Sequence, residues 1–227
     1  MKPDYHIRLN SDSSILVSFT CSASFDLASY IHSLNRDITI SQLDHFVESV
    51  CAYDSLLLIF QPEYWDIKQS IKQLELMINN HKQAKRQKNN KIEIPVCYDP
   101  RVADDLDAVC QQKNISHQQL ITLHSQANYR VEMLGFLPGF LYLSGLDASL
   151  HTARKSTPSL SVPPGSVAIG GSQTGLYSIS SPGGWNIIGR TPLKTFDINR
   201  FPPCLVQPLD EVRFVSIDYQ QFIDYEH

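Results

Sequence analysis

No glycine occurs in the first 134 residues of this 227-residue chain, and none follows Gly189. A stretch that long without the residue that most readily takes positive φ must turn on short polar connections between ordinary helices and strands. Other absences narrow the function. No apolar run approaches the roughly 18 residues of a membrane span, and the opening MKPDYHIRLN lacks the apolar core of a signal peptide, so a cytoplasmic protein without membrane contact is expected. There is no basic excess. With a net charge of -4 and a pI near 6.0, the chain has no global field to attract nucleic acid. The five cysteines, Cys21, Cys51, Cys97, Cys110 and Cys204, form no CxxC and no Cys/His pair at metal-ligand spacing, so inert or buried thiols and no metal site are expected.

Nucleotide and hydrolase signatures are missing too. Gly170 and Gly175 have the outer spacing of a phosphate loop, but Leu176 and Tyr177 stand where Lys and Ser/Thr must supply the cation and the magnesium-ligating hydroxyl. There is no GxGxxG, and no GxSxG nucleophile elbow.

What is present is a change of grammar along the chain. Residues 5–9 and 15–19 have strand composition around a polar turn, and Leu27, Ile31 and Leu34 have helical spacing. Ser41 and Asp44 suggest the start of a second short helix carrying Leu43, Phe46 and Val47. SLLLIF, residues 55–60, reads as a strand, and Asp66 opens a helix with the stripe Ile67, Ile71, Leu74 and Ile78. A mixed sheet with helices on one face is the economical arrangement. HKQAKRQKNNK, residues 81–91, reads as a solvated helix end or linker, and it separates an N-terminal α+β domain, 1–90, from a second domain, 91–227.

The second domain begins with the strand IEIPVC and two helices, residues 104–113 and 116–126, the latter with Ser116 and Gln119 as a capping box. A strand over 129–133 then leads into the segment that holds all ten glycines, Gly135 to Gly189. Strands are expected at 166–169, 176–179, 185–188 and 211–217, with tight turns between, which implies a β-barrel-like domain. Polar groups gather near this flexible backbone. His124 is either a packed histidine or a proton carrier. Arg190 is either a clamp for a carboxylate or phosphate or half of a structural ion pair. Arg154 lies in the loop-like HTARKSTPSLSVPP, while Gln173, Ser181 and Trp185 suit the wall of a small planar-ligand site or, equally, a barrel corner.

MLGFLPGFLYLSGLD, the spaced Arg154 and Pro158, and SVPPGSVAIGGSQTGLYSISSPGGWNIIGRTPLKTFD closely resemble the family of the 5-oxoprolinase B subunit, the kinase inhibitor KipI and the allophanate hydrolase subunit 1 domain of urea carboxylases. SDSSILVSF, AYDSLLLIF, LITLH and PLDEVRF extend the likeness over the chain. It departs at CYDPRVADDLD, where family members have a glycine-rich stretch, and at Ser144, where they have glycine. The resemblance implies a small α+β sandwich domain followed by a cyclophilin-like β-barrel. It further implies partnership with the C and A subunits of 5-oxoprolinase, and opening of 5-oxoproline to glutamate with hydrolysis of ATP, carried with Mg, at a site shared with the C subunit. His124 and Arg190 are then the expected catalytic residues, and Arg154, Gln173, Ser181 and Trp185 the expected substrate contacts. The family also holds inhibitors of sensor histidine kinases and the carboxyltransferase part of urea carboxylase, so those roles stand as alternatives.

Overall fold

The structure, a computed structural model, describes residues 2–22, 26–41, 43–82 and 89–225. The chain divides into two compact units, Met1–Lys88 and Asn89–His227. Residues 83–88 of the basic run lie outside the described residues. Asn90 belongs to the second unit, because its N–H donates to Asp210 Oδ1 at 3.0 Å and its carbonyl accepts from Glu211 N at 2.9 Å.

The first unit runs β1 (Asp4–Ser11), β2 (Ser14–Thr20), α1 (Leu27–Ser41), β3 (Phe46–Cys51), β4 (Ser55–Phe60) and α2 (Ile67–Asn80). Its sheet has the order β1-β2-β4-β3 and is antiparallel throughout, not mixed. The reason is connection length: β1–β2 and β3–β4 are hairpins, and a parallel pair would need a long crossover. Ile15, Val17 and Phe19 alternate inward from β2, as Leu56, Leu58 and Phe60 do from β4, onto Ile31, Leu34 and Ile38 of α1 and Leu74 and Ile78 of α2. Asp66 caps α2 by accepting from Gln69 N at 3.0 Å. The short helix expected after Ser41 is instead β3. Ser41 closes α1, its hydroxyl donating to the Ile38 carbonyl, and the stretch with Val47 and Val50 pairs with β4.

The second unit runs β5 (Lys91–Cys97), α3 (Leu106–Lys113), α4 (His117–Gln126), β6 (Tyr129–Leu134), β7 (Leu141–Ser144), β8 (Ser159–Val162), β9 (Ser166–Gly170), β10 (Gln173–Leu176), β11 (Ser181–Gly183), β12 (Asn186–Arg190), β13 (Glu211–Ile217) and α5 (Tyr219–Tyr225). Seven strands close a barrel in the order β10-β7-β6-β13-β5-β12-β9, and β11 pairs with β8 outside it. β5 and β13, the first and last strands of the unit, lie parallel from Lys91 opposite Glu211 to Cys97 opposite Ile217. Ser116 and Gln119 form the expected capping box on α4. The strand expected at 176–179 instead ends at Leu176, where the chain leaves the ladder. Strands β7, β8 and β11 are too short to show a period of their own. The cysteines are free thiols; Cys97 and Cys110 are buried, and Cys21 is exposed.

Candidate active site

The Trp185 indole lies flat on the barrel wall because two glycines let it. A β-carbon on Gly170 would meet Trp185 Cδ2 at 2.4 Å, and one on Gly175 would meet its Cζ3 at 2.8 Å. The glycine cluster therefore serves close packing of a large ring as much as turning. Phe140 stands edge-on to this indole, with centroids 5.6 Å apart at 87°, and edge-on to Tyr177 at 4.9 Å and 90°. Tyr142 at 4.7 Å and Phe136 at 5.6 Å complete the group around Phe140. Such tilted pairs place positive ring edges against negative faces.

These rings, with Pro158, Pro182, Gly183 and Gly184, line a cavity of about 340 Å³ that also receives Arg154 and Lys155. The two cations differ. Lys155 Nζ donates to Asp105 Oδ2 and to Ser159 Oγ, each at 2.8 Å, and the same Asp105 oxygen accepts from Ile187 N at 2.8 Å. Lys155 is thus tied to β12 and to the start of α3. Arg154 is exposed, with its guanidinium carbon 5.6 Å from the Trp185 ring centre, and has no carboxylate or hydrogen-bond partner among the described residues. Burial pushes the Tyr142 and Tyr177 phenols up, the nearby Arg154 charge opposing this, so both are neutral hydrogen-bonding groups at ordinary pH. An aromatic cleft with one uncommitted planar cation suits a small flat molecule bearing a carboxylate or phosphate.

Of the residues expected at a site, Arg154 and Trp185 meet here. Gln173 is half-buried at the start of β10, opposite Gly170, and does not line the cavity. Ser181 is buried at the start of β11, also off the lining, and its hydroxyl has no partner among the described residues. Arg190 lies in a separate cavity.

His124, expected as the proton carrier, is a structural residue. It has no exposed surface and stacks on Phe214 at 4.8 Å. The single Thr174 hydroxyl proton goes to the Ala168 carbonyl at 2.9 Å, so Thr174 accepts from His124 Nε2–H at 2.9 Å. The neutral ring then accepts the Tyr98 O–H at Nδ1, at 2.7 Å. Burial pushes its pKa down to about 3, so it neither reaches a substrate nor titrates near neutral pH. The sequence reading also missed Phe136, Phe140, Tyr142 and Tyr177. The signal for the first three was the density of aromatics in GFLPGFLYL, residues 135–143.

A family model, the carboxyltransferase domain, subdomain C and D, matches residues 5–206, a range that holds every residue lining this cavity. The chain is 32% identical to the 5-oxoprolinase B subunit of Bacillus subtilis (strain 168) across 98% of its own length and 97% of that protein. It belongs to the family of the 5-oxoprolinase B subunit, KipI and allophanate hydrolase subunit 1. Within this family it is also similar to the 5-oxoprolinase B subunit of Haemophilus influenzae, 38% identical over 90% of this chain and 94% of that one. Its fold matches part of the Kluyveromyces lactis urea carboxylase with a TM-score of 0.77 at 20% identity, covering 98% of this chain and 22% of that one. The Ser144 hydroxyl donates to Glu132, which also receives Arg130 in a two-bonded pair at 2.9 Å.

Proposed function

We propose that this chain is the B subunit of an ATP-dependent 5-oxoprolinase and that the aromatic cavity holds the lactam. The observation that carries the reading is the unpaired Arg154 at the mouth of an aromatic cleft, in a chain so similar to the B subunit of 5-oxoprolinase over its whole length. 5-Oxoproline is a flat five-membered ring bearing one carboxylate. The aromatic walls at Trp185 and Tyr142, braced by the buried Phe140, hold the ring, and the Arg154 fork holds the carboxylate, which fixes where the lactam carbonyl points.

The chemistry needs more than this chain displays. Amide resonance protects the lactam, and phosphorylating the carbonyl oxygen makes ring opening by water feasible. That step calls for a nucleotide site and a base. The cavity lining holds no histidine and no carboxylate. Among the described residues no group of three or more His, Cys, Asp or Glu could hold a metal ion, and Gly170 to Gly175 lacks the Lys and Ser/Thr of a phosphate loop. These residues do not fit ATP and Mg by themselves. In this reading the B subunit binds and orients the lactam, and the nucleotide and proton-moving groups come from a site shared with the C subunit, acting together with the A subunit.

The test is reconstitution. The chain purified with its C and A subunits should hydrolyse ATP only when 5-oxoproline is present and release glutamate; a well-folded complex with no turnover refutes the proposal. The description of the family model favours one second reading, carboxyl transfer to a small amide in a biotin-dependent system. That reading predicts turnover only when a carboxylated biotin carrier is supplied.

A further inference from the structure

A second cavity, about 470 Å³, takes Ser178, Ile179 and Ser180 as part of its wall. The same stretch of chain gives Tyr177, Pro182, Gly183 and Gly184 to the aromatic cavity, so one segment has a ligand-sized hollow along each of its two parts. One of the two cations of this second cavity is Arg190, the last residue of β12. Its Nε–H donates to the Pro164 carbonyl at 3.0 Å, which fixes the plane of the guanidinium while using only one of its five N–H groups. The Phe222 ring lies 5.8 Å from its central carbon. No carboxylate pairs with Arg190 among the described residues, so the structural ion pair left open by the sequence is not what holds it.

The backbone beneath Arg190 is built to stay put. Gly165 has φ +81°, and a β-carbon there would lie 2.3 Å from the Thr191 carbonyl oxygen. Gly165 N donates to the Tyr177 carbonyl at 2.7 Å, and Thr191 N to the Gly165 carbonyl at 2.9 Å. The other cation, Lys194, makes an exposed pair with Asp197 at 2.9 Å, of a kind that exchanges readily with water or a ligand. Pro164, Pro192, Leu193 and Phe196 make the rest of the wall largely apolar.

We infer that this cavity is a second ligand site, distinct from the aromatic one, for a small organic oxyanion: a carboxylate or phosphate group on a compact apolar body, its oxygens received by the terminal N–H groups of Arg190. A fixed planar cation with open donors at the edge of a largely apolar hollow selects that chemistry, because the fork matches two oxygens and the apolar part of the wall receives the remainder. This inference does not depend on the function proposed above.

The test is nitrogen–proton NMR of the full chain, including the arginine Nε–H signals, titrated separately with isobutyrate, phenyl phosphate and inorganic phosphate. Saturable shifts of Arg190 Nε–H and of the Gly165, Thr191 and Leu193 amides are expected with at least one organic probe. Isobutyrate binding more tightly identifies a carboxylate site, and phenyl phosphate binding more tightly a phosphate site. Arg190→Gln should weaken that probe at least tenfold, while Arg154→Gln leaves its affinity within twofold. Strictly linear shifts with every probe, or saturable shifts confined to the Trp185 surroundings, would overturn the inference. The wild-type shifts decide the matter even if Arg190→Gln does not fold.

Discussion

His124 illustrates how a residue's surroundings override its chemical reputation. The chain Tyr98 O–H to Nδ1, Nε2–H to Thr174 and Thr174 O–H to Ala168 uses each proton once and leaves none for catalysis. A testable consequence follows from its low pKa. In the unfolded chain a histidine titrates near about 6.5, whereas the folded value is about 3. Between those values the unfolded state binds the extra proton, so this contribution to stability is complete above about pH 6.5 and is lost as pH falls, at up to about 1.4 kcal/mol per unit. His124→Gln keeps an amide donor for Thr174 and removes the titration. The fall in unfolding free energy between pH 7 and 5 should shrink by about 2 kcal/mol in the variant. Urea unfolding followed by Trp185 fluorescence, in a Trp65→Phe background, measures this; identical pH dependence in both proteins would refute it. A related lesson lies in the first unit, where Ser33, His81 and Asp37 line up like a catalytic triad at 2.9 and 2.7 Å. The buried Ser33 hydroxyl donates to the Tyr30 carbonyl at 2.9 Å, so the group braces α1 against the end of α2 and presents no nucleophile.

At the scale of elements, strong local signals were legible. The stripe of α2, the capping box at Ser116 and the strands at 15–19 and 129–133 each sit where the residues alone put them, but the alternation expected along β6 breaks at a register shift between Val131 and Met133, where Glu132 is buried. The short strands of the glycine-rich segment were not. Three- and four-residue strands such as β8 and β11 are held by long-range pairing, and β3 shows a helical spacing over too few residues to override its partner β4. Of the candidate cavity, the lining residues Arg154 and Trp185 stood out in the sequence, but no local pattern reveals that Gly170 and Gly175 are the floor under an indole. Substitution separates the two uses of glycine. Gly170→Ala must move Trp185 and should cost about 1–3 kcal/mol, with a red shift of its fluorescence. Gly171 has φ +69° and nothing within 4 Å of its missing side chain, so Gly171→Asn should leave that fluorescence unchanged. Equal effects of the two changes would show that packing under the indole is not what Gly170 provides.

Considered whole, the chain is two units with separate cores, and no helix among its described residues is long and apolar enough to cross a membrane. In the proposed function the reaction is completed by other chains, since the lining of the aromatic cavity holds no histidine and no carboxylate. The decisive measurement is the steady-state kinetics of Arg154→Gln within the reconstituted complex. Loss of a carboxylate clamp that acts on bound substrate should raise the KM for 5-oxoproline at least tenfold, with assembly and thermal stability of the complex unchanged. A KM within twofold of the wild type, in a complex that turns over, would contradict the assignment of this cavity to the lactam.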